Sequence, residues 1–346
     1  MDNYKNLNDV PIRNVKEDLY GVSNFSDCIA KGLENIEKPI GTTIALNGVW
    51  GAGKTSIINL IRENLKENNT NIVVTEFKCI WFRGEEALAI AFLQHLTSII
   101  GQKFSESAMD LVRLVSSFKP IIKHIVNFST AGQLGSLAED LVSGVNILVG
   151  EKTLESSFES LSEQLENFGI RFLIIIDDLD RLSIKEMLAV FRLLRTVGCL
   201  PNVMYLVAFD RKLAEDSIKK EYPSNGSQFL DKIIQASFEI PVPSKFDLAN
   251  ILYSKLNDLN NIHNDQYFNN VYVEIVLPYI ATPRHISRLI NVIRLTWAAI
   301  KDEINFADFL AMETIRLYEP NLFSSIIRNK EKLFSFDTGE NLLSIL

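Results

Sequence analysis

The sequence predicts an α/β protein built on a central, mostly parallel sheet with helices on both faces. Three observations predict it. Short apolar runs of strand type recur at residues 43–47, 72–77, 172–176, 203–208 and 236–240. Helical periodicity fills the stretches between them, so consecutive strands need crossover connections and the sheet is covered on both sides. A glycine-rich turn, GVWGAGKTS at residues 48–56, stands between the first strand and the helical run IINLIRENL.

The composition is compatible with such a core. A chain of 346 residues, 47% hydrophobic and 23% charged, is long enough for one large or two moderate domains, with disorder expected only at the ends. Cys28, Cys79 and Cys199 show no paired spacing, and His95, His124, His263 and His285 are scattered, so no zinc site is readable. With no secretory leader in view, a cytoplasmic setting is expected. Residues 119–150 are the most apolar long stretch, but Lys123, His124, Glu139 and Asp140 interrupt it, and no membrane span is predicted. The net charge of −8 disfavours a protein that coats nucleic acid by phosphate neutralisation.

Along the chain, residues 101–150 separate the second and third strands and are read as a helical insertion. After the third strand, Ser183 and Glu186 have the spacing of a capping box ahead of MLAVFRLLRTV, with Gly198 at the expected stop. IPVPS at residues 240–244 cannot continue a central strand, which puts a boundary there. The expected organisation is a core over residues 1–240 and a helical C-terminal domain over residues 241–346. The abrupt end after NLLSIL suits a portion of a longer chain.

Gly48, Gly53, Lys54 and Thr55 satisfy G-x-x-x-x-G-K-[ST], in the strand, loop, helix order that this motif requires. Bare glycine backbone lets successive N–H groups converge on phosphate oxygens, and the helix that follows presents unpaired amides and a positive dipole end. Lys54 is expected to bridge the β and γ phosphates and the Thr55 hydroxyl to hold Mg2+; Ser56 stands one position too late. Gly48, Trp50, Gly51, Ala52, Gly53, Lys54, Thr55 and Ser56 are therefore the candidate nucleotide-binding set. Trp50, Trp81 and Phe82 are read as packing residues rather than base-stacking ones.

A second element, RFLIIIDDLDRLS at residues 171–183, is a buried strand that ends in acid. Asp177 is expected to hold Mg2+, directly or through water, and Asp178 to orient or polarise the attacking water. The triphosphate is expected between the turn and these aspartates on the adjoining strand. Asp210 ends the fourth strand, either as a sensor of the γ-phosphate or as a simple turn partner of Arg211. Arg181, Arg192 and Arg195 are candidates for a charge supplied to a neighbour's nucleotide, or solvated helix-face residues. Arg284, opening a helix in ATPRHISRLIN, is either an arginine that folds over the phosphates or a surface residue by a proline cap.

Together GVWGAGKTS and IIIDDLDRL resemble the KAP family of P-loop NTPases, as do EDLYGVSNFSDCIAKGLENI, FKCIWFRGEEALAIAFLQHL and TPRHISRLINVI. The resemblance spans about residues 16–300. It implies an additional-strand P-loop core, ATP with Mg2+, and a segment around Asp18 and Tyr20 that borders the adenine. It further implies work in phage defence as a homo-oligomer with a protein effector, one form being the RADAR-type pairing of such an ATPase with an adenosine deaminase. Family members often carry membrane helices between the two motifs; residues 101–150 lack the apolar length for them. The expected function is a Mg2+-dependent ATPase that drives assembly or conformational change. An ATP-binding module with little turnover and a nucleic-acid-stimulated motor are the rival readings.

Overall fold

A computed structural model describes residues 10–68, 71–103, 159, 162–163, 165–167, 169–196, 198–221, 226–262 and 265–334. Its sheet has five parallel strands, β1 (Thr42–Asn47), β2 (Ile72–Glu76), β3 (Arg171–Ile176), β4 (Val203–Phe209) and β5 (Ala236–Glu239), in the order β2-β3-β4-β1-β5. Each expected strand is present to within a residue or two at its ends. One expectation needs correcting: β3 does not adjoin β1, because β4 lies between them, pairing Ile44 with Leu206 on one side and Ile174 with Tyr205 on the other. Adjacency in a parallel sheet is set by crossover packing, which the apolar runs do not encode.

The runs are continuously apolar because both faces are covered. Successive side chains alternate sides: Phe172, Ile174, Ile176, Tyr205, Val207 and Phe209 enter one apolar cluster, and Leu173, Ile175, Met204, Leu206 and Ala208 the other. The first cluster is closed by α3 (Glu85–Lys103) and α4 (Ile184–Arg195), together with α5 (Arg211–Glu221) and α6 (Gly226–Asp231). The second is closed by α1 (Ser23–Glu34) and α2 (Lys54–Glu67). Of the expected helical insertion, residues 104–150 lie outside the described residues.

A third apolar cluster comes from the chain after β5. It draws on α7 (Lys245–Asn260), α8 (Gln266–Val271), α9 (Pro283–Ile300) and α10 (Phe306–Tyr318), and α11 (Pro320–Arg328) and α12 (Lys330–Phe334) follow. Tyr20 packs against both the second and third clusters. The prolines of IPVPS leave the sheet and Ser244 caps α7, accepting from the Asp247 N–H at 3.1 Å.

The expected capping box opens α4: Ser183 and Glu186 exchange side-chain-to-backbone bonds. Gly198 accompanies the helix end for a different reason from a left-handed turn. A Cβ there would lie 2.7 Å from the Leu194 carbonyl and 2.9 Å from the Tyr205 hydroxyl, so bulk is what the position rejects.

Glu186 also ties this helix to the turn after β2, accepting from the Gly84 N–H at 2.7 Å. Burial alone would raise its pKa, but the bonds from Gly84 and Ser183 outweigh that and hold it below the usual glutamate value. A lowered folded-state pKa stabilises above the unfolded value of about 4.5 and is lost as pH falls through the folded one. Glu186→Gln is therefore expected to lower stability by about 1 kcal/mol at pH 7 in urea titrations, the gap to the unmutated protein closing as pH falls below about 4.5.

Candidate functional site

The glycine loop joins the carboxyl end of β1 to α2. Gly51 and Gly53 have φ of 84° and 95°, the left-handed region where a side chain is strained, so the loop needs glycine at these positions to turn its amides inward. Gly48 continues the strand instead: its N–H donates to the Phe209 carbonyl at 3.2 Å, and its own carbonyl accepts from Lys54 Nζ at 2.8 Å.

Lys54 and Thr55 are the first two residues of α2. The Thr55 hydroxyl donates to Asp177 Oδ2 at 2.6 Å, which joins the loop to the end of β3 across the intervening strand. The two candidate metal ligands thus share one point at the carboxyl end of the sheet. Burial pushes the Asp177 carboxyl up, and the neighbouring Asp178 charge adds to this, against the bonds from Thr55 and the Asp178 N–H. A buried, electron-rich carboxylate of this kind gains most when a divalent cation arrives.

Asp178 sits at φ 61°, a left-handed conformation unusual for a non-glycine residue, and its carboxylate pairs with Arg181 Nε at 2.9 Å. Lys54 reaches the same turn: its Nζ lies 3.2 Å from Asp180 Oδ2. Behind them Cys79 is buried, its Sγ donating to the Asp177 carbonyl at 3.5 Å. Burial and the charge of Asp178 push its thiol up to about 12, so this cysteine is an unreactive packing group.

In front of the loop is a cavity of about 400 Å3. Gly51, Ala52, Gly53, Lys54, Thr55 and Ser56 of the loop and α2 line it, as do Asp178 and Arg181. Val10, Ile12, Tyr20 and the two prolines Pro241 and Pro243 add an apolar part to the lining. A cationic loop and an apolar patch that line one cavity, with the Thr55 hydroxyl bonded to the Asp177 carboxylate, fit a nucleotide and its metal. Thr55 and Asp177 could hold the metal.

The sequence motifs missed several of these residues. Residues 10–12 carry no motif, yet Ser56 Oγ accepts from the Ile12 N–H at 3.3 Å and Asn59 Nδ2 donates to the Ile12 carbonyl at 2.9 Å, which straps the segment to α2 as a cavity wall. Asp180 stood in the acidic run without a role, and Pro241 and Pro243 were legible only as a chain break. Tyr20 is at the wall, its N–H held by Asp18 at 3.1 Å.

Two packing assignments need correction. Trp50 and Trp81 are 62% and 71% exposed, not core residues. Trp50 stacks under the Arg284 guanidinium at 4.2 Å, and a Cβ on Gly51 would meet the Arg284 Cβ at 3.0 Å, so the start of α9 rests on the loop. Trp81 carries Lys78 at 5.0 Å. Phe82 packs as expected, stacked on Phe77 at 5.8 Å. Asp210 is not among the cavity-lining residues; it accepts from the Leu213 N–H at 3.1 Å, beside the Arg211–Glu215 pair. Arg192 and Arg195 sit in the last turn of α4, away from the cavity lining, whereas Arg181 and Arg284 line it.

Among the described residues there is no cluster of three or more metal-binding side chains of the histidine, cysteine or acidic kind, and no helix long and apolar enough to cross a membrane.

A family described as the KAP family P-loop domain matches residues 22–300. The chain is 27% identical, over an alignment of 383 residues, to the phage T7 exclusion protein of Escherichia coli (strain K12), covering 99% of this chain and 50% of that protein. It thus spans about half the length of that curated relative. Among solved structures it is similar to Drosophila ORC bound to DNA, with a TM-score of 0.50 and 11% identity over 92% of this chain and 65% of that one. It is also similar to the Aeropyrum pernix ORC2 protein, with a TM-score of 0.46 and 12% identity over 98% and 80% of the two chains. At these identities the structural likeness concerns the fold alone.

Proposed function

The chain belongs to the KAP family of P-loop NTPases, and from that premise we propose that it is a Mg2+-dependent ATPase whose nucleotide cycle drives assembly or conformational change. The observation that carries the proposal is the 2.6 Å bond between Thr55 and Asp177, which joins the loop and the acidic strand at one point. When bound, Mg2+ supplies positive charge to the phosphate oxygens. The chain's own residues do the rest: loop amides and Lys54 hold the phosphates, and Tyr20 with Ile12 covers the apolar base. Asp178, once free of Arg181, accepts a proton from the attacking water.

Arg284 couples this site to the helices after β5, because it touches the loop through Trp50 and Gly51. Asp210, which caps the chain beyond β4, acts through the strand end rather than by direct contact. Arg181 is the residue assigned to face a second copy of the chain in a homo-oligomer, and its 47% exposure supports that reading. The name of the relative from Escherichia coli supports phage exclusion as the setting; a protein effector as partner and a cytoplasmic location belong to the proposal. The domain division at residue 240 is retained as part of the proposal, the third apolar cluster being built from residues after it.

The test is phosphate release from ATP with Mg2+ and with chelator. Metal-dependent release supports the proposal; equal release in both sinks it. Arg284→Ala is expected to lower the turnover number by about 100-fold with little change in ATP affinity. ATP addition is expected to change the tryptophan fluorescence of the unmutated protein through Trp50, and Arg284→Ala to remove that change.

A second reading, an ATP-gated module with little turnover, is favoured by one observation: Asp178 is already paired with Arg181. Binding of ATP without phosphate release, in a protein shown to be oligomeric, would select it.

A further inference from the structure

The Lys54–Asp180 pair differs from the other ion pairs of the described residues. Its side chains are only 7% and 5% exposed, whereas each of the others has a partner at least 28% exposed. An ammonium has three N–H donors. Here all three have acceptors within the protein: the Gly48 carbonyl at 2.8 Å, the Val49 carbonyl at 3.5 Å and Asp180 Oδ2 at 3.2 Å. A phosphate oxygen can reach Lys54 only by displacing one of them.

The loop carbonyls are the ones to yield. Asp180 Oδ1 is buried with no partner, so a Lys54 that abandoned Oδ2 would leave the carboxylate with neither oxygen satisfied. The negative charge therefore stays beside the lysine while the polyphosphate binds. Beside so buried a pair that charge repels the ligand strongly, unless a divalent cation arrives with it and offsets both.

We propose that Asp180 is a positioning residue that holds the Lys54 ammonium within the loop and makes the site select metal-complexed polyphosphate over the metal-free anion. This rests on the reading that polyphosphate binds at Lys54.

The test is calorimetric titration of ATP, in chelator and in Mg2+, into the unmutated protein, Asp180→Asn, and Lys54→Ala made in the Asp180→Asn background. Asp180→Asn is expected to tighten metal-free ATP binding by about tenfold or more, and Mg-ATP binding by less than about threefold. The preference for the metal complex then shrinks. If Asp180→Asn leaves metal-free binding unchanged or weaker while the added Lys54→Ala weakens it further, the role of Asp180 is refuted and the site stands. Should Lys54→Ala change nothing in that background, the site itself is misplaced and the inference falls with it. Thermal melts check that each variant folds, and Asp180→Ser replaces an Asn variant that does not, with the same outcomes.

Discussion

Lys54→Ala is expected to reduce ATP hydrolysis by about 1,000-fold and to weaken ATP binding by 100-fold or more, as measured by phosphate release and calorimetry. The residue supplies the site's buried positive charge and is, among the described residues, the only lysine lining the cavity. The same change harms the fold. It leaves Asp180 buried with no cation, at a cost of about 3–5 kcal/mol in chemical denaturation. Adding Asp180→Asn should recover most of that stability and none of the hydrolysis. Recovery of both would mean that Lys54 serves the fold and not the chemistry.

Asp177→Asn should abolish the metal dependence: Mg2+ no longer strengthens ATP binding, and hydrolysis falls by about 1,000-fold. Its effect on stability has the opposite sign to that of Lys54→Ala. Burial and the adjacent Asp178 raise the Asp177 pKa in the fold above its unfolded value. The ionised side chain therefore costs stability, an amount that grows as pH rises from the unfolded pKa through the folded one. The Asn variant, without nucleotide, should melt higher than the unmutated protein at pH 7 and level with it in acid, where both side chains are neutral. A functional group held at a cost to stability is the signature to look for.

Contiguous features of the site were legible in the sequence, and features made by the fold were not. The loop could be read because glycine, lysine and threonine must follow one another on a strand-to-helix turn. The acidic strand could be read because a fully buried apolar run seldom stops at three aspartates. Capping of α4 was legible at Ser183 and Glu186 because it too is local, while the third bond of Glu186, from Gly84, depends on how the turn after β2 packs. That β4 separates β1 from β3 was hidden, since strand composition is the same at the centre of a parallel sheet wherever the strand sits. The Lys54–Asp180 pair follows from that arrangement, and so could not be drawn from spacing across 126 positions. Trp50 was misassigned for a related reason. Its partner, the Arg284 guanidinium, stands far along the chain, and no local spacing pairs the two.

The most direct measurement is a crystal structure with Mn2+ and a non-hydrolysable ATP analogue, with the metal located by anomalous scattering. One manganese is expected in contact with the Thr55 hydroxyl, on the Asp177 side of the loop, with Lys54 reaching the terminal phosphates while Asp180 remains beside it. A metal and triphosphate bound away from Thr55 and Asp177, or a triphosphate in the cavity with its phosphates pointing away from the glycine loop, would contradict it.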